Sequence, residues 1–215
     1  MQDSSYLGKK GYTIFKKYLN VKEDQELKKE LTVKPFIPKS IIPVSSFPVY
    51  RETTKKYYIP RFYGIKKYGS FKKNELSTCD NISVNFKGSL RDYQVNIVDK
   101  YVKYVGEIGG GLLEIDTGLG KTVIGLNIIT MLKVKTIIIV HKEFLLNQWV
   151  ERINQFIPNA RIGRIQGQKI DVENKDIVIG MLQSLSMKDY DVNMFNSFGL
   201  TIIDEVHHMG AEVFS

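Results

Sequence analysis

Ile115-Asp116-Thr117-Gly118-Leu119-Gly120-Lys121-Thr122 is the stretch that decides the fold of this chain. It follows an apolar run at residues 112–115 and precedes a second apolar run at residues 123–129. Its two glycines let the backbone turn tightly and approach an anion without a Cβ in the way. The N–H groups at the start of the following helix can then hold phosphate oxygens. The order of strand, glycine turn and helix therefore predicts a phosphate-binding loop, the P-loop.

The side chains and the backbone of this loop have separate tasks in binding a nucleotide. Lys121 is expected to neutralise the terminal phosphates, and the hydroxyl of Thr122 is expected to bind Mg²⁺. Ile115 departs from the usual pattern, which has a glycine at this position. A chance Gly-x-Gly-Lys-Thr sequence in a surface turn is the alternative, and the flanking apolar runs argue against it. The predicted nucleotide-binding residues of the loop are Asp116, Thr117, Gly118, Leu119, Gly120, Lys121, Thr122 and Val123.

An acidic pair, Asp204-Glu205, follows another apolar run at residues 200–203. Ligand sites in open α/β sheets lie at the carboxyl ends of the strands, so this pair is expected beside the P-loop. Asp204 is predicted to hold the Mg²⁺ ion, and Glu205 is predicted to activate the attacking water as a general base. A zinc site at His207 and His208 is the alternative, and it is disfavoured because the single cysteine lies far away in sequence.

The net charge of +8 is concentrated in the first part of the chain. Residues 1–89 carry 18 Lys and Arg against 8 Asp and Glu, whereas residues 90–215 carry 13 against 15. The first part also contains 14 of the 24 aromatic residues. Basic charge interleaved with Tyr and Phe suits nucleic acid, through phosphate neutralisation and base stacking. A solvated lysine surface over an ordinary aromatic core is the other interpretation, and the sequence leaves both open.

Cysteine content and hydropathy indicate a protein of a reducing, intracellular compartment. Cys79 is the only cysteine, so no disulfide can form within the chain. No run of 18 apolar residues is present, and a membrane-spanning helix is therefore not expected. The first residues lack the basic and then apolar pattern of a secretory signal, so we expect an intracellular location.

Residues 90–215 alternate between apolar strands and amphipathic helices. Strands are predicted at 112–115, 136–140, 177–180 and 200–204, and helices at 91–104 and 144–156. Short and nearly all-apolar strands that are separated by helices are typical of a parallel sheet covered on both faces. We therefore expect an α/β domain at residues 89–215, preceded by a small basic α+β domain at residues 1–88.

The first domain has weaker patterns. Helices are predicted at 12–19 and 21–30, a β-hairpin at 47–51 and 56–61, a linker or long loop at 64–80, and a short strand at 84–86. The first of these helices rests on apolar residues that are spaced as on one helical face. Prolines are frequent between residues 35 and 60, which favours edge strands and turns. Arg51, Lys56 and Arg61 lie in the predicted hairpin, so one of its faces is expected to meet a phosphate backbone.

Several motifs of the second domain together resemble those of superfamily 2 helicases. Asp204-Glu205-Val206-His207 resembles their DExH box, and Leu90-Arg91-Asp92-Tyr93-Gln94 resembles their Q-motif. Residues 137–149 resemble motif Ia, and residues 179–184 resemble motif Ib. Within the superfamily, the likeness is greatest to helicases of large DNA viruses related to the type III restriction-subunit group. The resemblance implies a RecA-like P-loop NTPase domain at 89–215 and, for a viral protein, a location in the host cytoplasm or the virion.

The resemblance also implies functions for individual residues. It implies ATP as the nucleotide, with Gln94 reading the adenine edge, and it implies that His207 couples the ATP site to nucleic acid. The implied catalytic residues are Lys121, Asp204, Glu205 and His207. The implied nucleic-acid contacts are His141, Lys142, Gln183 and Ser184, although Lys142 could equally lie in the first turn of a solvated helix. In this group the N-terminal domain helps to engage double-stranded or branched DNA.

A motor of this kind needs a second RecA-like domain, which closes the ATP cleft and supplies an arginine finger. Only one such domain and no motif III is recognisable here, so we expect the N-terminal part of an ATP-dependent DNA helicase or translocase. RNA is an open alternative to DNA, and the second domain would act in cis or in trans. Alone, the chain is expected to bind Mg-ATP weakly and to hydrolyse it very slowly. The second hypothesis is a non-catalytic nucleic-acid-binding module that uses ATP at most as a structural ligand.

Overall fold

The computed structural model describes residues 5–34 and 46–206 of the chain. The predicted site residue His207 lies outside these ranges. The chain divides into two compact units, and the boundary between them falls after Ser77. Among the described residues, no helix combines the length and the apolar character that crossing a bilayer requires.

Residues 78–88, which the sequence placed in the first domain, are part of the second unit. Ile82 and Val84 are buried in the core of that unit. The backbone N–H of Ile82 donates to the carbonyl oxygen of Lys133 at 3.0 Å. The strand predicted at 84–86 is wrong, because this segment buries its apolar side chains without joining a sheet.

The N-terminal unit is built on a five-stranded sheet. Its elements are β1 (Ser5–Gly8), β2 (Gly11–Phe15), a 3₁₀ turn (Lys16–Tyr18), α1 (Val21–Glu30), β3 (Thr32–Val33), β4 (Phe47–Pro48), β5 (Arg51–Glu52), β6 (Lys56–Ile59), α2 (Arg61–Tyr68) and β7 (Lys73–Asn74). The order across the sheet is β5-β6-β2-β1-β7, and only β7 runs parallel to its neighbour. Strands β3 and β4 form a separate antiparallel pair.

The helix predicted at residues 12–19 is wrong, since β2 and the 3₁₀ turn occupy this stretch. A two-residue loop joins β1 to β2, with Gly8 paired to Gly11. Gly11 has a φ of +97°, and a Cβ there would lie 2.6 Å from the carbonyl oxygen of Ile59. Tight hairpin loops need such glycines. The hairpin therefore overrides the helical spacing of the apolar residues.

Helices α1 and α2 pack on the same face of the sheet. The buried residues between them and the sheet are Tyr12, Ile14, Leu27, Leu31, Tyr57 and Ile59. The predicted charged helix at 21–30 is confirmed as α1. It begins with a capping box, in which Asn20 and Glu23 each accept the backbone N–H of the other. The hydroxyl of Tyr57 donates to Asp24 at 2.6 Å and so joins the sheet to α1.

The loop predicted at 64–80 is partly wrong, because α2 continues through its first residues. Gly64 permits this helix to pack closely, since a Cβ there would lie 2.3 Å from the ring of Tyr12. The predicted hairpin forms only between β5 and β6, because β4 pairs with β3 instead. Arg61 begins α2 rather than ending a strand, and its guanidinium lies 6.0 Å from the ring of Phe71.

The second unit has the predicted parallel sheet flanked by helices. Its elements are α3 (Asp92–Ile108), α4 (Lys121–Leu132), β8 (Thr136–Val140), α5 (Glu143–Phe156), β9 (Ile162–Gln166), β10 (Lys169–Asp171), β11 (Ile177–Met181), α6 (Leu182–Ser186), a 3₁₀ turn (Val192–Phe195) and β12 (Leu200–Ile203). The order across the sheet is β10-β9-β11-β8-β12. All neighbours are parallel except β10, which forms a hairpin with β9. The hairpin was not predicted.

Both faces of this sheet are covered. On one face, helices α4 and α5 pack on the strands through residues such as Leu126, which contacts the cluster around Ile138. On the other face, α6 packs through Leu185 on the cluster that contains Ile137. Successive residues of β8 thus face opposite layers, as alternation along a strand requires. Only the edges of the sheet are left for a ligand.

The strand predicted at 112–115, ahead of the P-loop, does not form. A cavity of about 460 Å³ lies between this segment and β12, and α4 also lines this cavity. A strand needs a neighbour for its backbone N–H and C=O groups, and no described strand adjoins this segment. The apolar run is consequently exposed in part, and Leu112 exposes 74% of its surface to solvent.

We expect Gly64→Ala to destabilise the protein by about 1–3 kcal/mol, because the new methyl group would overlap the buried ring of Tyr12. Gly106→Ala is the matched control, since Gly106 is also helical and a Cβ there meets nothing within 4 Å. This control should leave stability unchanged or raise it by up to about 1 kcal/mol. Thermal unfolding followed by circular dichroism measures both variants. Equal midpoints for Gly64→Ala and the wild type would contradict the packing described.

Candidate functional site

The turn of the P-loop depends on two glycines in the left-handed conformation. Gly118 has a φ of +86° and Gly120 has a φ of +81°, values that residues with a Cβ rarely adopt. No described atom outside its immediate chain neighbours lies within 4 Å of a Cβ built on Gly118, so the backbone there is open to a ligand. The turn is closed by the N–H of Leu119, which donates to the carbonyl oxygen of Asp116 at 3.3 Å.

Helix α4 begins directly after this turn. The hydrogen bond from the N–H of Ile124 to the carbonyl oxygen of Gly120, at 3.0 Å, closes its first turn. The N–H groups of Lys121, Thr122 and Val123 come before that bond and have no acceptor within the helix. Together with the helix dipole, these groups favour an anion. The side chain of Lys121 is exposed at the same end of the helix.

Gln94 and Tyr93, near the start of α3, both hydrogen-bond to the backbone of the P-loop. The Gln94 Nε2 and the Tyr93 hydroxyl each donate to the carbonyl oxygen of Leu119 at 3.0 Å. The Gln94 Oε1 accepts the N–H of Arg91 at 3.0 Å. A Cβ on Gly120 would lie 2.5 Å from the Gln94 Nε2, so this contact also requires glycine. Gln94 is buried against the loop, and its adenine contact stays a prediction.

Asp204 and Glu205 lie at the carboxyl end of β12. The N–H of Asp204 donates to the carbonyl oxygen of Ile139 at 3.0 Å, which continues the pairing of β12 with β8. Glu205 has a φ of +54°, an uncommon conformation for a residue other than glycine. Such backbone conformations persist where the surrounding structure holds them, and they are frequent at functional sites.

Trp149 of α5 contacts the acidic pair directly. Its indole N–H donates to the Asp204 Oδ2 at 2.9 Å. The indole is 4% exposed, and a Cβ on Gly125 of α4 would lie 3.2 Å from its ring. Direct contacts therefore run from the helix of the P-loop, through Trp149, to Asp204.

The cavity of about 460 Å³ beside residues 112–115 adjoins both halves of the predicted site, the P-loop helix and the acidic pair. Lys121 lines it on the side of α4, and Glu205 lines it at the end of β12. Tyr101 forms part of its wall, where burial raises the pKa of the phenol, and the hydroxyl donates to the carbonyl oxygen of Gly111 at 3.5 Å. The structure thus brings Lys121 and Glu205 to one cavity, whereas the loop residues 116–120 lie outside its lining.

The four predicted nucleic-acid contacts lie at this same edge of the sheet. His141 and Lys142 follow β8, while Gln183 and Ser184 belong to α6, which follows the neighbouring strand β11. The Gln183 Nε2 donates to the carbonyl oxygen of His141 at 2.8 Å. The Ser184 Oγ accepts the N–H of Gly167 at 2.9 Å. The two predicted motifs therefore touch, and the side chain of Lys142 is exposed beside them.

Sequence reasoning assigned no site function to Trp149 or Tyr93. Trp149 is buried, and its bond to Asp204 joins residues 55 positions apart. No local pattern could reveal that contact. Tyr93 lies inside the Q-motif, and its position next to Gln94 was the only available signal.

The parallel sheet, the glycine turn and the helix that follows it define the second unit as a RecA-like P-loop NTPase domain. A solved structure with a similar fold is the Sulfolobus solfataricus SWI2/SNF2 ATPase core, determined in complex with double-stranded DNA. Its TM-score is 0.51 at 20% identity, and the match covers 65% of this chain and 31% of the other. At this level of identity, the similarity is one of fold.

The family model described as type III restriction enzyme, res subunit, matches residues 87–215, and the chain belongs to this family. It contains the N-terminal region of a superfamily 2 helicase. The mimivirus protein "Putative ATP-dependent RNA helicase L396" is 35% identical over 211 residues, which cover 95% of this chain. The DNA 3'-5' translocase XPB2 of Sulfurisphaera tokodaii is 32% identical over 160 residues, which cover 74%. The chain spans 40% and 34% of the length of these two relatives.

We expect Gln94→Ala to loosen the P-loop, because it removes the donor to Leu119 and the acceptor for the N–H of Arg91. Loss of about 1 kcal/mol of hydrogen bonding should speed amide hydrogen exchange in residues 116–122 by roughly fivefold. Gln148→Ala, which changes an exposed glutamine of α5, should leave this rate unaltered. Mass spectrometry of the exchanged peptides measures both variants, and an unchanged rate in Gln94→Ala would speak against the contact.

Proposed function

We propose that this chain binds Mg-ATP at the P-loop and, within the complete protein, hydrolyses ATP to drive a helicase or translocase. The observation that carries the proposal is the convergence of Lys121 and Glu205 on one cavity, with Asp204 held by Trp149 at the same sheet edge. In the reaction, water attacks the γ-phosphorus and the bond to the β-phosphate oxygen breaks. The products are ADP and inorganic phosphate.

The P-loop and the first turn of α4 bind the nucleotide in this proposal. The left-handed glycines Gly118 and Gly120 form the turn, and the backbone at Gly118 is open to a ligand. The N–H groups of residues 121–123 have no acceptor in the helix. Oxygens of the phosphates are the acceptors that suit them. Lys121 neutralises the terminal phosphates. Gln94 reads the adenine edge and, through Leu119, keeps the loop in its bent conformation.

The donor set at the sheet edge fits magnesium. Mg²⁺ prefers oxygen ligands, and the Thr122 hydroxyl and the Asp204 carboxylate supply them. When bound, the ion neutralises charge on the outer phosphates. Trp149 holds one carboxylate oxygen of Asp204 through its indole N–H, which orients the group. Glu205 accepts the proton of the attacking water as general base.

Nucleic acid is proposed to bind along the ends of β8 and β11. His141, Lys142, Gln183 and Ser184 form this contact, and the hydrogen bond between Gln183 and His141 lets the two segments act together. His207 couples this surface to the ATP site. We propose DNA as the substrate, since one similar protein is named a DNA translocase. RNA is the second possible outcome, because another similar protein is named an RNA helicase.

We propose that a second RecA-like domain, in cis or in trans, completes the motor. The chain spans 40% of the mimivirus relative, which leaves length for such a domain in proteins of this kind. An arginine finger from the second domain is worth roughly 10³–10⁵ in rate in related phosphoryl-transfer enzymes. The present chain alone should therefore bind Mg-ATP but hydrolyse it very slowly. Robust turnover that is stimulated by DNA and lost in Lys121→Ala would contradict this division of work.

Trp149 provides a direct test, since it is the only tryptophan and its indole is bonded to Asp204. We expect a non-hydrolysable ATP analogue with Mg²⁺ to change the tryptophan emission. Lys121→Ala should weaken the affinity at least tenfold, because it removes the main positive charge at the phosphates. Lys103→Ala, which removes an exposed charge of α3, is the matched control and should bind as the wild type does. An unchanged emission at millimolar nucleotide would refute the proposed ATP site.

A salt titration separates the motor from a non-catalytic binding module. Affinity for a fluorescent oligonucleotide should fall with rising salt in either case, because phosphate contacts release counterions. A motor unit should also change its affinity when Mg-nucleotide is added, whereas a passive module should bind equally with and without it. Fluorescence anisotropy at several salt concentrations measures both effects.

A further inference from the structure

The sheet of the N-terminal unit has one face turned away from α1 and α2, and a row of five aligned residues crosses this face. Strand pairing aligns Arg51 with Tyr58, Tyr58 with Thr13, Thr13 with Tyr6, and Tyr6 with Lys73. Residues aligned in this way share a face of the sheet. We call this surface the aromatic face. The row has a basic residue at each end and one tyrosine on each side of the central threonine.

A second row of the aromatic face adds a third ring and another charge. Phe15 is aligned with Lys56, two residues from the first row. The ring of Phe15 lies 6.3 Å from that of Tyr6, centroid to centroid. The Lys56 ammonium lies 4.8 Å from the Phe15 ring and 5.1 Å from the Tyr6 ring. Lys10 lies 5.1 Å from the ring of Tyr58. Each ring therefore has a cation close by.

The charge and the exposure of this face differ from those of the opposite face. None of the described outward positions on these five strands is Asp or Glu, and Glu52 lies on the other side. One acidic group is nearby, since Glu75 pairs with Lys73 at 2.8 Å. The tyrosines of the helix-covered face are fully buried, whereas Tyr6 and Tyr58 are exposed in part.

The centre of the aromatic face has a buried hydroxyl group that lacks a hydrogen-bond partner among the described residues. Thr13 is 1% exposed, and its hydroxyl has no hydrogen-bond partner among the described residues. A buried hydroxyl without a partner costs free energy. Because Thr13 is buried, the edge of a base would supply a partner only where the neighbouring rings of Tyr6 and Tyr58 move apart. The free energy of seating an aromatic ligand there would thus include the gain of that hydrogen bond.

We propose that the aromatic face binds single-stranded nucleic acid. Bases stack on Tyr6, Phe15 and Tyr58, while Arg51 and Lys56 neutralise the phosphates between them. Aromatic side chains accept any base, because every base has a π-face, and sheet surfaces with two or three such rings are a known platform for unpaired bases. The proposal deepens the nucleic-acid function given above by adding a site in the other unit, and the site does not require ATP.

The test separates stacking from charge by using two fluorescent oligonucleotides of equal length and equal charge. One is a thymidylate dodecamer and the other is an abasic dodecamer. The chain of 215 residues should bind the thymidylate strand about tenfold or more tightly than the abasic strand. Phe15→Leu combined with Tyr58→Leu should abolish this preference while keeping the binding of the abasic strand. Phe62→Leu, which changes a phenylalanine of α2 that is 47% exposed, is the matched control and should keep the preference.

Equal affinity of the wild-type chain for the two strands would overturn the proposal, and so would a preference that survives in the double variant. If the double variant fails to fold by circular dichroism, Arg51→Gln carries the test. It should lower the slope of log affinity against log salt by about one, whereas Lys66→Gln on α2 should not. An unchanged slope in Arg51→Gln would then overturn the proposal. The Trp149 emission on addition of Mg-nucleotide, measured on the same variants, reports separately on the ATP site.

Discussion

The pairing of β12 with β8 is the constraint on which the candidate ATP site depends. Ile203 lies opposite Ile139, and the next backbone N–H, that of Asp204, donates to Ile139. A slip of one residue would turn every side chain of β12 to the other face of the sheet. Trp149 belongs to the helix that follows β8, so the same register also brings its indole to Asp204. A single strand pairing thus positions the acid and the group that orients it.

The two sheets of this protein offer different surfaces to a ligand. The parallel sheet of the second unit is covered by helices on both faces, which leaves the carboxyl edge for the P-loop, the acidic pair and the predicted nucleic-acid contacts. The mostly antiparallel sheet of the first unit is covered by α1 and α2 on one face only. Its second face presents a row of side chains instead of strand ends, and this difference favours extended ligands over compact ones.

Strands that are buried on both faces were the easiest elements to predict. Residues 136–140 and 177–180 are almost entirely apolar, and both form strands. The hairpin of β9 and β10 was missed because Gly163 and Arg164 interrupt the apolar pattern of β9, so no continuous apolar run marks the strand. The strand predicted at 112–115 has the right composition but no hydrogen-bonding neighbour. Composition therefore predicted which residues are suited to a strand, and the presence of a partner decided whether a strand forms.

The sequence by itself determined the α/β character of residues 89–215, the glycine turn before Lys121, and the acidic pair at the end of an apolar run. These features follow from local spacing, because neighbours along the chain share one helix, one turn or one strand. Only the tertiary structure decided that Trp149 bonds to Asp204, that Gln94 holds the carbonyl of Leu119, and that Arg51 and Lys73 end one row of rings. Such contacts join residues far apart in sequence, and packing and strand register alone bring them together.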